Sequence, residues 1–149
     1  MPGSSSSDRG AGWVWGQFAL IALILVLGAV PPRWPDSLRL VGVLFILAGV
    51  VGFVWAARTL GGSFTAYPRP LPDGVLVEDG PYRLVRHPVY GAGLLFLFGY
   101  GLLTSVLATA ALPAIAILWW LKSSVEERHL TERFSSYADY RQRVRRRML

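Results

Sequence analysis

The segment Asp79-Gly80-Pro81-Tyr82-Arg83-Leu84-Val85-Arg86-His87-Pro88-Val89-Tyr90-Gly91 is the densest run of polar and special-geometry residues in an otherwise apolar chain. Gly80-Pro81 reads as a turn. His87 precedes a proline, which biases its backbone away from the α region. Pro88 suits the first position of a helix, where its missing N–H costs little. The spacing therefore predicts a helix starting at Pro88 with His87 at or near its N-cap. The free N–H groups there, two arginines (Arg83, Arg86), the imidazole and the phenols of Tyr82 and Tyr90 make a seat for an anionic group. The plainer alternative is a basic juxtamembrane turn that only sets topology.

Working outward, apolar runs too long for a soluble core lie on both sides, and 53% of the 149 residues are hydrophobic. Spans are predicted over about 11–30, 38–60, 89–103 and 106–122. Trp13 and Trp15 open the first at aromatic-belt depth. Gln17 is its single strongly polar residue and is expected to face another helix. In the second, Ala48 and Gly52, with Gly42 and Gly49, permit close helix packing in lipid. Residues 89–121 are too long for one comfortable span, so a tight hairpin is expected with its turn at Thr104-Ser105 and a kink near Pro113. The 61–88 link is polar and irregular, with Leu76-Val77 as a short extended piece. Leu130, Phe134 and Tyr137 share one face of an amphipathic helix expected over 123–146. The five arginines between Arg141 and Arg147 suit anionic headgroups.

The expected fold class is thus all-α: a polytopic membrane protein with about four membrane helices, including a tight C-terminal hairpin, plus an amphipathic C-terminal helix. Residues 11–149 form one domain after a disordered stretch over 1–10, and no cleavable signal peptide is read. Thirteen basic residues fall on the side of the 61–88 loop against two on the other, which puts that side in the cytoplasm. Zero cysteines exclude a disulfide framework and a thiol nucleophile. His87 and His129 have no metal-ligand spacing. The net charge of +6 points to an anionic membrane surface or ligand rather than nucleic acid.

Glu126-Glu127 stands one turn beyond the last span, level with the mouth at 86–91. A carboxylate pair and an Arg/His cluster meeting at one water–lipid boundary would bind a zwitterionic ligand. The plainer alternative is a solvated helix face paired with Arg128 or Arg133. Gly80-Pro81-Tyr82-Arg83-x-x-Arg86-His87-Pro88-x-Tyr90-Gly91, a hydrophobic hairpin, then Glu126-Glu127-x-x-Leu130, Phe134, Tyr137 and Tyr140 together resemble the isoprenylcysteine carboxyl methyltransferase and phospholipid methyltransferase family over about residues 38–141.

The resemblance implies an integral membrane enzyme using S-adenosylmethionine and a lipophilic acceptor. It implies cofactor contacts from Tyr82, Arg86, His87, Pro88, Tyr90, Gly91, Glu126 and Glu127, and substrate contacts from Tyr137 and Tyr140. Glu127 and Arg86 are the implied catalytic pair. Glu127, or a water beside it, would take the proton of an amine acceptor, whereas a carboxylate acceptor needs no base. The competing expectations are an NADPH-dependent reductase of the sterol-reductase type and a non-enzymatic four-helix transporter or assembly subunit.

Overall fold

A computed structural model describes residues 10–149; apart from Gly10, the expected disordered segment lies outside them. Six helices follow in order: α1 Ala11–Leu27, α2 Asp36–Leu60, α3 Pro88–Thr104, α4 Val106–Ala110, α5 Leu112–Arg133 and α6 Tyr137–Arg143, with short 3-10 turns at Gly61–Ser63 and Gly80–Arg83. No strand occurs among the described residues, so Leu76-Val77 is not a paired piece. The Ser63 hydroxyl organises that loop instead, accepting from Val75 N at 3.0 Å and donating to Val75 O at 3.3 Å.

Two helical stretches, 36–63 and 106–133, are long and apolar enough to cross a membrane, while α1 and α3 are apolar but shorter. Their outer faces carry large apolar side chains in the open: Leu40 is 72% exposed, Val51 68% and Ile117 61%. Contiguous apolar surface of this kind is stable against lipid and not against water. A bilayer therefore supplies the missing half of the packing.

The tightest seam lies between α2 and α3. A Cβ on Gly42 would stand 2.6 Å from the Gly99 carbonyl oxygen, and one on Gly49 would stand 2.6 Å from Phe96 N. Only glycine permits this backbone approach, which is how helices gain contact in lipid. The contact face runs through Gly42 and Gly49; Gly52 meets only the Ala92 side chain. On the opposite flank α1 packs on α4 and α5, and α1 and α2 make no substantial contact.

The chain reverses at Ser105, which is extended; its hydroxyl caps α4 through Leu107 N at 3.1 Å and donates to Val30 O at 2.5 Å. The return helix is interrupted at Ala111, just before Pro113, which has no N–H to offer the Thr109 carbonyl. The C-terminal helix expected over 123–146 is corrected. Residues 123–133 are the end of α5, the backbone turns extended at Phe134, α6 is short, and 144–149 is not helical. Ser135 and Ser136 are poor helix interior residues. The break lets α6 fold back on the loop, where Tyr137, Tyr140 and Val144 cluster with Leu76, Leu130 and Phe134. The Arg133 guanidinium then takes the carbonyls of Leu71, Pro72 and Gly74.

Candidate functional site

His87 is the N-cap of α3 by position, but its side chain makes no cap bond. The ring turns toward α5, with Nδ1 3.2 Å from Glu126 Oε2 and Nε2 3.2 Å from Glu127 Oε1. A ring with a carboxylate at each nitrogen is fully matched only when both nitrogens donate, which is the imidazolium. Burial pushes the His87 ring toward neutrality, but hydrogen bonds and charge from Glu126 and Glu127 outweigh it and hold its pKa above the ordinary value.

The two glutamates have different work. Glu127 is buried and holds three cations: His87, Arg86 through Nε at 2.8 Å, and Arg147 through Nη2 at 3.2 Å. Glu126 accepts the Tyr90 hydroxyl at 2.7 Å and faces an internal cavity of about 680 Å³. That volume lies in the range of small-molecule sites. Tyr82, Arg86, His87, Tyr90, Glu126, Tyr137 and Tyr140 line it; Glu127, Pro88 and Gly91 do not. Pro88 starts α3, and Gly91 lies under the tail, where a Cβ would meet the Met148 carbonyl oxygen at 2.1 Å. Arg83 is turned out to Asp79 on the exposed surface. His129 stands by Glu132 and takes no part.

A strap over 144–148 braces residues 86 and 87 from outside the cavity wall. Arg86 N donates to Arg146 O at 3.0 Å, His87 N to Arg147 O at 2.7 Å, and Arg86 Nη1 to the carbonyls of Val144 and Arg145 at 2.8 and 2.9 Å. The Arg147 guanidinium also bonds Ser124 Oγ at 3.0 Å and lies 4.3 Å from the Trp120 ring centroid. The sequence reading gave this tail only a headgroup role. One arginine among five carries no local mark of such a task.

A second unforeseen group backs Tyr90. Lys122 is fully buried, with Nζ 2.6 Å from Gln17 Oε1 and 2.7 Å from Ala66 O. Trp119 donates to the same Gln17 oxygen and stacks on Tyr90 at 5.4 Å, and His87 stacks on Tyr90 at 5.8 Å. The lone polar residue of α1 was the signal for this group.

Of the other phenols, Tyr140 donates to Tyr82 O at 2.8 Å. The hydroxyls of Tyr82 and Tyr137 are buried with no partner. Burial first, then the charge of nearby groups, keeps both far above the ordinary phenol range, so each is a neutral O–H. Away from these groups the cavity is walled by Phe18, Ile21 and Leu25 of α1 and by Val50, Phe53 and Val54 of α2, two helices without substantial contact.

A family model described as phospholipid methyltransferase matches residues 38–137. The cobalt-zinc-cadmium resistance protein CzcN of Cupriavidus metallidurans is 31% identical over 130 residues, covering 85% of this chain. The nickel-cobalt-cadmium resistance protein NccN of Alcaligenes xylosoxydans xylosoxydans is 26% identical over 138 residues, covering 88% of this chain. The uncharacterized protein YpbQ of Bacillus subtilis is 28% identical over 116 residues, covering 76% of this chain and 67% of its own length. The chain spans 56% and 61% of the first two relatives.

Proposed function

The chain belongs to the phospholipid methyltransferase family, and from that premise we propose that it is a multi-pass membrane enzyme moving a methyl group from S-adenosylmethionine to a lipophilic acceptor. Its site faces the cytoplasm on the arginine-rich side, and α1 and α3 cross together with the two longer stretches. One observation carries this reading: a single cavity joins a charged mouth at His87, Tyr90 and Glu126 to an apolar passage walled by α1 and α2.

The lining fits the cofactor. Glu126, fixed from two sides by Tyr90 and His87, presents a carboxylate for an ammonium. Arg86 spends Nε and Nη1 on Glu127 and the strap and keeps Nη2 for a ligand carboxylate. S-adenosylmethionine supplies a sulfonium methyl that leaves by in-line displacement, so the protein's task is orientation and exclusion of water. The stacked rings of His87, Tyr90 and Trp119 give that region a rigid wall. A carboxylate acceptor needs only to be positioned. An amine acceptor must lose a proton, and Glu127, which lies outside the cavity wall among three cations, is not placed to take it. The acceptor's apolar body enters sideways through the seam walled by Phe18, Val50 and Val54.

The reductase reading would need Arg83 and Arg86 for the phosphates of its cofactor, and it has less support because Arg83 faces away to Asp79. The test is transfer of labelled methyl from S-adenosylmethionine by purified protein into a membrane lipid extract, with the product identified. No incorporation, with a melting-temperature shift from NADPH and none from S-adenosylhomocysteine, overturns the proposal.

A further inference from the structure

A second recess, of about 360 Å³, lies against the outer side of α5. Arg128 of α5, Arg141 of α6 and Arg147 of the strap line it, with the hydroxyls of Ser124 and Thr131 and the carboxylates of Glu127 and Glu132. None of them borders the main cavity. Arg147 is already fixed by Glu127, Ser124 and the Trp120 ring. Arg128 and Arg141 are exposed and have neither a hydrogen bond nor an ion pair among the described residues. The two carboxylates do not cancel these charges. Glu127 also answers to Arg86 and His87, which stand outside the recess. The Glu132 side chain is 75% exposed and stands 3.7 Å from His129. The recess therefore keeps a positive excess, with room for an anion.

The recess also continues a stripe that faces lipid. Ile117, Leu121, Ser124 and Arg128 follow at i, i+4, i+7 and i+11, one face of α5. Ile117 and Leu121, with Trp120 beside them, are exposed. This face thus changes from apolar to cationic along a single line. With Trp120 in the aromatic belt, Ser124 and Arg128 stand ~6 and ~12 Å further along the axis, the height of lipid headgroups. We propose that the recess is a discrete seat for one anionic phospholipid, its phosphate between Arg128, Arg141 and Arg147 and its acyl chains along Ile117 and Leu121. Guanidinium forks match phosphate oxygens. A soluble phosphate would use the same arginines and leave the apolar half of the stripe idle. The inference rests on α5 lying in a bilayer, as proposed above, but not on methyl transfer, since this lipid sits outside the main cavity. It also differs from general adhesion of the tail. Only Arg141 and Arg147, of the five tail arginines, line the recess.

The test is melting of the full chain in a neutral detergent, titrated with phosphatidylglycerol, phosphatidylcholine or glycerol 3-phosphate. A ligand that binds only the folded state raises the melting temperature. Phosphatidylglycerol should do so saturably in wild type, and neither of the others should match it. Arg128→Gln combined with Arg141→Gln should weaken that binding roughly tenfold or more, the worth of a charged hydrogen bond. Both side chains are exposed, so ligand-free melting should stay at the wild-type temperature. Arg145→Gln combined with Arg146→Gln removes the same charge from the tail but not from the recess, and should leave the titration as in wild type. Equal weakening in the two double variants overturns the seat and leaves diffuse adhesion. An equal shift from phosphatidylcholine overturns the anionic headgroup. An equal shift from glycerol 3-phosphate overturns the lipid, by assigning the arginines to a soluble anion. No saturable shift from phosphatidylglycerol overturns the proposal outright. Full chain that stays dispersed without detergent removes the membrane setting, and the seat with it.

Discussion

The two ends of the cavity are built on opposite terms. At the mouth, charged groups from three distant segments meet, and nearly every one is matched: Arg86, His87 and Arg147 on Glu127, and His87 and Tyr90 on Glu126. At the seam, α1 and α2 face each other across a gap lined by Phe18, Ile21, Val50 and Val54, with no polar side chain among them. A matched ionic cluster is stiff, because each group's position is fixed by several others. An apolar seam has no directional bonds and can part at little cost. The protein thus places precision where a small donor must be oriented and compliance where a bulky acceptor must pass.

The largest test of that contrast is Glu127→Ala. It leaves three cations without their shared anion in a buried setting, and the expected cost is about 3–5 kcal/mol of stability, read by chemical unfolding in mixed micelles. A cost near zero would show that the cluster is solvated and the mouth is not stiff. Next comes Glu126→Ala, which should cost less, about 1–3 kcal/mol for the Tyr90 hydroxyl and His87 Nδ1 left unmatched, while weakening S-adenosylhomocysteine binding roughly ten- to a hundredfold in a titration, the worth of a charged hydrogen bond. Equal losses of stability and affinity in these two variants would erase the division of labour between neighbouring carboxylates.

The third test is pH. The pKa of His87 is raised in the folded protein. Its contribution to stability is therefore complete below its unfolded pKa of ~6.5 and is lost as pH rises through the higher folded value. Unfolding free energy should decline as pH rises above ~6.5, and His87→Gln should flatten that decline. Arg147→Gln should move it to higher pH, since Glu127 then answers to fewer cations. A decline that the His87 variant preserves belongs to some other group. The smallest effect is expected at the other end. Val50→Trp narrows the seam and should raise KM for a long-chain acceptor several-fold. Its stability should stay within ~0.5 kcal/mol of wild type, and its affinity for S-adenosylhomocysteine should not change. An altered affinity there would mean that the two ends of the cavity do not act independently.

Much of this arrangement could be read from local pattern. Pro88 after His87 marked the start of α3, and the excess length of the 89–121 stretch marked the helix break at Ser105. Gln17, alone in an oily helix, announced a buried partner, though not that the partner would be Lys122. What stayed hidden depends on contacts between segments far apart in the chain. Glu126 and Glu127 are adjacent and identical, and only the packing of α5 against the strap turns one inward and the other toward Arg147. The break at Phe134 was missed because Leu130, Phe134 and Tyr137 keep a helical spacing; they cluster all the same, across a turn instead of along one face. Gln17 and Arg147 both lie outside residues 38–137, the part matched by the family model, so the two ends of the chain brace the site that the family motif supplies.

Arg86 and the two carbonyls that hold its Nη1 are separated by 58 and 59 positions along the chain. Closing so long a loop sacrifices chain entropy that only the finished contacts return. The glycine seam closes a loop of similar length, from Gly42 to Gly99, but between two apolar helices. The strap is held mainly by hydrogen bonds outside those helices, so it opens at the lower free energy. Amides of residues 84–87 and 144–148 should thus exchange ahead of those in α2 and α3, giving the mouth a breathing motion of its own while the scaffold keeps its fold.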